Sequence, residues 1–171
     1  MPALITILIL SLLGIQGIAY CSEEAMITIV KAVWTSGIDD TKNPVKIYEN
    51  SVSQPRRLYL WTKVRGGSEA LRVLKNEGKL PIRHKWYSYI GPTAEFDDSR
   101  EPIDAVNLSV GKKEKLNRLA SEVDIKGGFD WRTWSMKVNI HEGWWKVRIV
   151  YDDGENVICD GNPCEYVIQV K

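Results

Sequence analysis

Short runs of alternating apolar and polar residues, separated by turn-forming residues, fill the chain from residue 26 to residue 171. Side chains alternate between the two faces of a β-strand, so each run predicts a strand with one buried face. The clearest predicted strands span residues 26–34, 57–65, 82–90, 133–140, 144–151 and 164–170, and weaker ones span 45–48, 103–110 and 156–159. Many short strands with glycine- and aspartate-rich breaks are typical of an all-β fold, here an immunoglobulin-like antiparallel β-sandwich.

One segment departs from this alternation and predicts a short helix inserted into the sandwich. Over residues 112–123, the apolar side chains recur at the spacing of one helical face, at Leu116, Leu119, Ala120 and Val123. The basic side chains between them are expected to face solvent. A further short helix is predicted over residues 68–76.

The N-terminal segment predicts export. Residues 3–19 are apolar and uncharged, the first charged side chain is Glu23, and Gly17 and Ala19 have the spacing of a signal-peptidase site. We therefore expect residues 1–19 to be a signal peptide, and residues 20–171 to form a single β-sandwich domain in the periplasm or cell envelope. Two alternatives stay open: the run is retained as an N-terminal membrane anchor, or Cys21 is lipidated, although Tyr20 disfavours a lipoprotein site.

The cysteine pair Cys159 and Cys164 predicts a disulfide. The residues between them, 160–163, read Asp-Gly-Asn-Pro, a strong turn signal that brings the two thiols face to face in a hairpin. The alternative is a metal site that uses these thiols with His84 or His141. Neither histidine has a partner at ligand spacing, so we predict no metal and no cofactor.

Strand alternation also predicts a binding surface. The side chains predicted to face the core include Trp86, Trp134 and Trp145. The outward sets, which are the side chains predicted to face away from the core, combine cations with aromatic rings. If these strands are neighbours in one sheet, the outward sets form a surface that attracts anions and stacks on sugar rings. The candidate binding residues are Tyr59, Trp61, Lys63, Arg83, Lys85, Tyr87, Trp131, Lys137, Trp144, Lys146 and Arg148. The alternative is a solvated face whose cations discourage aggregation.

The sequence carries no motif of a common enzyme class or of a nucleic-acid-binding fold, and its formal net charge is +1. We therefore predict a non-catalytic envelope domain that binds an anionic glycan, a peptide or a protein partner, with nucleic acid an unlikely ligand. The alternative is a structural or assembly module that docks on a membrane-protein partner. A hydrolytic enzyme is the least favoured class, because His84 alternates into the core and His141 lies in a turn.

The run Trp-Arg-Thr-Trp-Ser at 131–135, followed by Gly-Trp-Trp-Lys at 143–146, resembles the signature of the bacterial domain of unknown function numbered 2914. Segments 32–38, 57–66 and 84–87 are similar to earlier segments of that family, in the same order. The resemblance implies a compact β-sandwich attached to bacterial membrane or envelope proteins, and it implies no established activity.

Within that signature, Trp131, Arg132 and Trp134 are expected to be structural. Alternation points Arg132 inward, where a carboxylate such as Asp130 or Asp124 would have to hold its charge. The chain departs from the family over residues 91–123, where the family has a short hairpin. We treat this stretch as an insertion in which a ligand contact specific to this protein would lie.

Overall fold

The computed structural model describes residues 26–97, 99–109 and 128–171. Its elements are β1 Ile27–Thr35, β2 Ile47–Tyr48, β3 Ser51–Val52, β4 Arg57–Gly66, α1 Ser68–Glu77, β5 Lys79–Tyr89, β6 Asp104–Ser109, β7 Phe129–Val138, β8 Gly143–Tyr151, β9 Ile158–Cys159, β10 Asn162–Pro163 and β11 Glu165–Val170. Every long strand coincides with a predicted strand, and α1 confirms the helix predicted at 68–76. The helix predicted at 112–123, the N-terminal segment 1–19 and Cys21 lie outside the described residues.

The strands form two main sheets that pack face to face. One is four-stranded, in the order β2-β1-β4-β7, and the other is five-stranded, in the order β3-β11-β8-β5-β6. The long neighbouring strands pair antiparallel, and β3 pairs with β11 in parallel. An all-β sandwich with a short helix is thus confirmed. In the part of the chain that the structure describes, no helix is long and apolar enough to cross a membrane.

The core lies between the sheets and is divided into two clusters. At one end α1 buries Ala70, Leu71 and Leu74 against the sandwich. This helix stops at Gly78, whose positive φ of 71° suits glycine and lets its N–H bond the carbonyl of Leu74. At the other end three tryptophans meet edge to face, with ring centroids 5.6 Å apart for Trp34 and Trp86 and 6.4 Å apart for Trp86 and Trp145.

Strand β7 presents to the core the face opposite to the one predicted. Thr133 and Ser135 are buried, whereas Met136 and Val138 are 38% and 47% exposed. The predicted inward position of Trp134 is also wrong, because it shares the outer face of the sheet with Met136 and Val138. The alternation of this strand was therefore predicted with the right period and the wrong phase.

The tryptophan cluster explains this phase. The ring of Trp86 reaches across the core to β7, and its Nε1 donates a hydrogen bond of 3.0 Å to the hydroxyl of Ser135. The same hydroxyl lies 2.7 Å from Nδ1 of His84. A small polar residue on β7 thus leaves room for the large ring and satisfies its N–H. On the outer face, Trp134 lies directly opposite Trp61 of β4.

The same phase error applies to two of the predicted binding residues, Trp131 and Lys137. Trp131 packs against the core cluster next to α1 instead of facing solvent. Lys137 also lies on the inner side of its sheet, where its Nζ is in close contact with the carboxylate of Asp104 on β6. Their predicted outward orientation is wrong.

Arg132 likewise has a different role from the one expected. Its side chain is exposed on the outer face, and its Nη1 donates to the carbonyl oxygen of Thr41 at 3.0 Å and to Oδ1 of Asn43 at 3.2 Å. The predicted inward position is wrong, and the predicted carboxylate partner is replaced by a loop. Trp61 donates its Nε1 to the carbonyl of Lys42 in the same loop, so both side chains fasten residues 41–43 over the sheet.

The disulfide predicted between Cys159 and Cys164 is confirmed. The two cysteines are bonded across the β9–β10 hairpin, with their Cα atoms 5.0 Å apart. Cys164 is part of the core cluster near α1, so the bond ties this surface hairpin to the sandwich.

Candidate functional site

The predicted binding residues lie in three places. Those on the outer face of the five-stranded sheet are Arg83, Lys85, Tyr87, Trp144, Lys146 and Arg148. Tyr59, Trp61 and Lys63 lie on the outer face of the four-stranded sheet, and Trp131 and Lys137 point between the sheets. The condition that all these strands neighbour one another is not met, because β4 and β7 belong to one sheet and β5 and β8 to the other. We call the first group the basic aromatic surface.

Strand register sets the order of side chains on the basic aromatic surface. Tyr89 of β5 lies opposite Trp144 of β8, Tyr87 lies opposite Lys146, and Lys85 lies opposite Arg148. The next strand, β11, continues these three rows with Gln169, Val167 and Glu165. Aromatic rings therefore lie towards one end of this face and cations towards the other.

Lys146 is the most buried residue of this surface. Its side chain is only 4% exposed, and its Nζ lies 5.2 Å from the ring centre of Tyr87 and 4.8 Å from that of Phe96. Glu165 Oε1 is 3.4 Å away. A buried ammonium group is costly without compensation, and here two ring faces and a carboxylate supply it. Arg148 lies in close contact with the same carboxylate, and its Cζ lies 5.9 Å from the ring centre of Tyr87.

The remaining cations are less enclosed. Arg83 lies in close contact with the backbone carbonyl of Asp152, and its Nε is 3.7 Å from the side-chain carboxylate of that residue. Lys79 binds the same carboxylate at 2.7 Å, and hydrogen bonds to it and to Glu77 raise the pKa of this lysine. Lys85 forms no ion pair with any residue that the structure describes. It is the cation of this surface that a bound anion reaches without displacing a carboxylate.

A cavity of about 140 Å³ opens beside the aromatic rows. It forms where the start of the predicted insertion folds back over β5. The ring centres of Phe96 and Tyr89 are 6.3 Å apart, and the N–H of Ile103 donates a hydrogen bond of 2.8 Å to the carbonyl of Trp86. The lining residues are Tyr87, Ser88, Tyr89, Phe96, Asp97, Arg100, Glu101 and Ile103. The described part of the insertion thus contacts the basic aromatic surface, whereas residues 110–123 lie outside the described residues.

The histidines supply no comparable site. His84 is fully buried beside Ser135, which is 3% exposed and also holds the indole of Trp86. Burial lowers the pKa of His84 to about 3. A serine and a histidine in contact are the pair that nucleophilic catalysis needs, but this pair is enclosed between the sheets where no substrate reaches it. Within residues 26–97, 99–109 and 128–171, no three His, Cys, Asp or Glu side chains gather as a metal site.

Three side chains of the site, Tyr89, Glu165 and Phe96, are absent from the predicted binding residues. Glu165 alternates outward in the predicted strand 164–170, so extending the alternation to that strand would have found it. Phe96 lies in the insertion, where no periodicity indicates its direction. Only the folded chain shows that its ring covers Lys146.

Comparison with protein-family models and with curated proteins finds no match to this chain. The resemblance to the domain of unknown function numbered 2914 therefore stays a prediction.

Proposed function

We propose that this chain is an exported envelope domain that binds an anionic glycan on the basic aromatic surface and catalyses no reaction. The observation that carries the proposal is the meeting of four cations and three aromatic rings from β5 and β8 on one sheet face. Among the described residues, Glu165 pairs with Lys146 and Arg148, and Asp152 pairs with Arg83. Lys85 pairs with no described carboxylate and offers its positive charge to an anion.

The arrangement favours a sugar acid over a simple anion. Trp144 and Tyr89 are only partly buried and lie side by side, which offers ring faces to the apolar face of a sugar. Lys85 and Arg83 lie further along the same strand and provide charge for a carboxylate. The adjacent cavity gives room for a second group of the ligand.

Binding is expected to depend on Lys85 and Trp144. The exported protein is titrated by calorimetry with a galacturonate oligosaccharide, with a neutral galactose oligosaccharide and with a hexa-aspartate peptide. The joint variant Lys85→Ala and Trp144→Ala is expected to weaken galacturonate binding at least about tenfold, because it removes a stacking face and a cation that has no ion pair with any described residue. High salt is expected to weaken it as well.

The matched control is the joint variant Tyr59→Ala and Lys63→Ala, which removes one ring and one cation from the other sheet. It is expected to leave galacturonate binding unchanged, and circular dichroism checks that both variants fold. Equal losses in the two variants, or no binding of galacturonate by the unaltered protein, would refute the proposed site. Preference for the peptide would assign the same surface to an acidic protein segment.

If the protein is exported as proposed, its N-terminal segment is expected to be removed. Mass spectrometry of the protein isolated from cells is expected to show a chain that begins at Tyr20. A mass that includes residues 1–19 would show a retained anchor, and an acylated N-terminal Cys21 would show a lipoprotein. Any chain found unprocessed in the cytoplasm would contradict export.

A structural or assembly role is the second candidate. Ile90 and Ile103, close to the basic aromatic surface, are 77% and 54% exposed, and a protein partner would bury them. Stable co-purification with an envelope membrane protein, together with no affinity for galacturonate, would favour this role over glycan binding.

A further inference from the structure

The outer face of the four-stranded sheet carries a second, separate concentration of charge. Lys31, Lys63 and Arg132 lie directly opposite one another on β1, β4 and β7. Arg65 lies in the next outward row, opposite Asp130. Like charges placed directly opposite on neighbouring strands repel, so this row lowers the stability of the sheet unless an anion covers it. We call Lys31, Lys63, Arg65 and Arg132 the cationic patch.

The carboxylates near the cationic patch balance only part of its charge. Asp130 binds Lys63 at 2.9 Å and Arg65 at 2.8 Å. Asp39, in the loop that covers the centre of this face, is the second carboxylate whose charge reaches the patch. Lys31 is exposed and forms no ion pair with any residue in the described ranges. Four cations against these two described carboxylates leave an excess of positive charge on the outer face of this sheet.

The position of this patch in the chain indicates what covers it. The patch occupies the first outward rows of the sheet, at the end where β1 begins. The apolar run 3–19 lies seven residues before Ile27, and residues 20–26 span at most about 25 Å even when fully extended. In a chain that begins at Tyr20, as expected here, the patch would reach the bilayer by its charge alone. A retained apolar run or an acylated Cys21 would in addition hold this end of the sheet next to the bilayer.

We propose that the cationic patch rests on an anionic lipid surface. Several cations in register on one sheet face suit a layer of phosphate headgroups, whose negative potential attracts basic residues close to the membrane. The patch shares no residue with the basic aromatic surface, which faces away on the other sheet. One domain would thus lie on the membrane by one face and present the other to its ligand.

The test measures which lysines a membrane protects. The full-length protein, in whatever N-terminal form cells produce, is mixed with vesicles of phosphatidylcholine alone or of phosphatidylcholine with phosphatidylglycerol, and its lysines are then acetylated. Mass spectrometry is expected to show at least about threefold less acetylation of Lys31 and Lys63 with the anionic vesicles. Lys85, on the opposite sheet, is the internal control and is expected to react equally with both. High salt is expected to abolish the protection, and free inorganic phosphate is expected to give none.

The variant Lys31→Glu provides a second test. It is expected to leave the fold intact, because Lys31 is exposed. It is expected to remove most of the protection of Lys63 by reversing one charge of the row. Equal acetylation of Lys31 in both vesicle types would overturn the proposal, as would protection of Lys85 in place of Lys31. Protection by free phosphate equal to that by vesicles would also overturn it, since the patch would then be a site for a small anion.

Discussion

Replacement of Trp86 by alanine is expected to lower the free energy of unfolding by about 3–5 kcal/mol. The ring is fully buried and contacts Trp34 and Trp145 edge to face. Its removal leaves a cavity between the sheets, and the hydroxyl of Ser135 loses the indole N–H that it binds. Urea unfolding followed by circular dichroism measures the loss, and a marginally stable domain would not fold at all.

The matched control is Trp134→Ala. The sequence pattern places both Trp86 and Trp134 in the core and would assign them similar costs. In the structure Trp134 lies on the outer face opposite Trp61, with Nζ of Lys42 5.2 Å from its ring centre. We therefore expect its removal to cost about 1–2 kcal/mol. Equal costs for the two variants would contradict the orientation of β7.

The features that the sequence predicted correctly are local ones. A strand is visible as alternation over a few residues, and the disulfide depends on a turn of four residues between Cys159 and Cys164. The inward and outward faces of β4, β5 and β8 follow from the same rule, because the mainly apolar face of each of these strands is the one that packs in the core.

Strand β7 is the exception because its outer face is apolar and is partly covered by a loop. Its inner face meets the tryptophan cluster, which requires small residues such as Thr133 and Ser135. On the outer face Trp134 meets Trp61, beneath a loop that Arg132 and Trp61 hold in place. A prediction from hydrophobicity alone therefore assigns the outer residues Trp134, Met136 and Val138 to the core. The size of the opposing side chain, which lies on another sheet, decided the phase.

The candidate site depends still more on non-local information. Alternation identifies which side chains point away from the core, but it does not state which strands are neighbours. Pairing of β5 with β8 brings six predicted residues together. Pairing of β4 with β7 places the other five on the two faces of the other sheet. The burial of Lys146 beneath Phe96 depends on the fold of the insertion, which no period in the sequence describes.

Acidification is expected to destabilise the fold through His84. Burial lowers the pKa of this histidine from 6.5 to about 3, and its Nε2 has no hydrogen-bond partner among the described residues. Below pH 6.5 the unfolded chain binds a proton that the folded protein excludes, so stability is full above 6.5 and falls as the pH decreases towards 3. The expected slope approaches about 1.4 kcal/mol per pH unit, which amounts to about 2–3 kcal/mol by about pH 4.5.

The variant His84→Gln isolates this effect, because it removes the titrating group and leaves a polar side chain near Ser135. Its own stability is expected to be lower at neutral pH, so the comparison is between the slopes of unfolding free energy against pH. We expect a flatter slope for His84→Gln than for the unaltered protein between about pH 6.5 and 4.5. Measurements stay above about pH 4, because Asp130, whose pKa is lowered to about 2 by Arg65 and Lys63, also loses stabilising charge below that range. Equal slopes for His84→Gln and the unaltered protein would show that the buried imidazole is not the source of acid sensitivity.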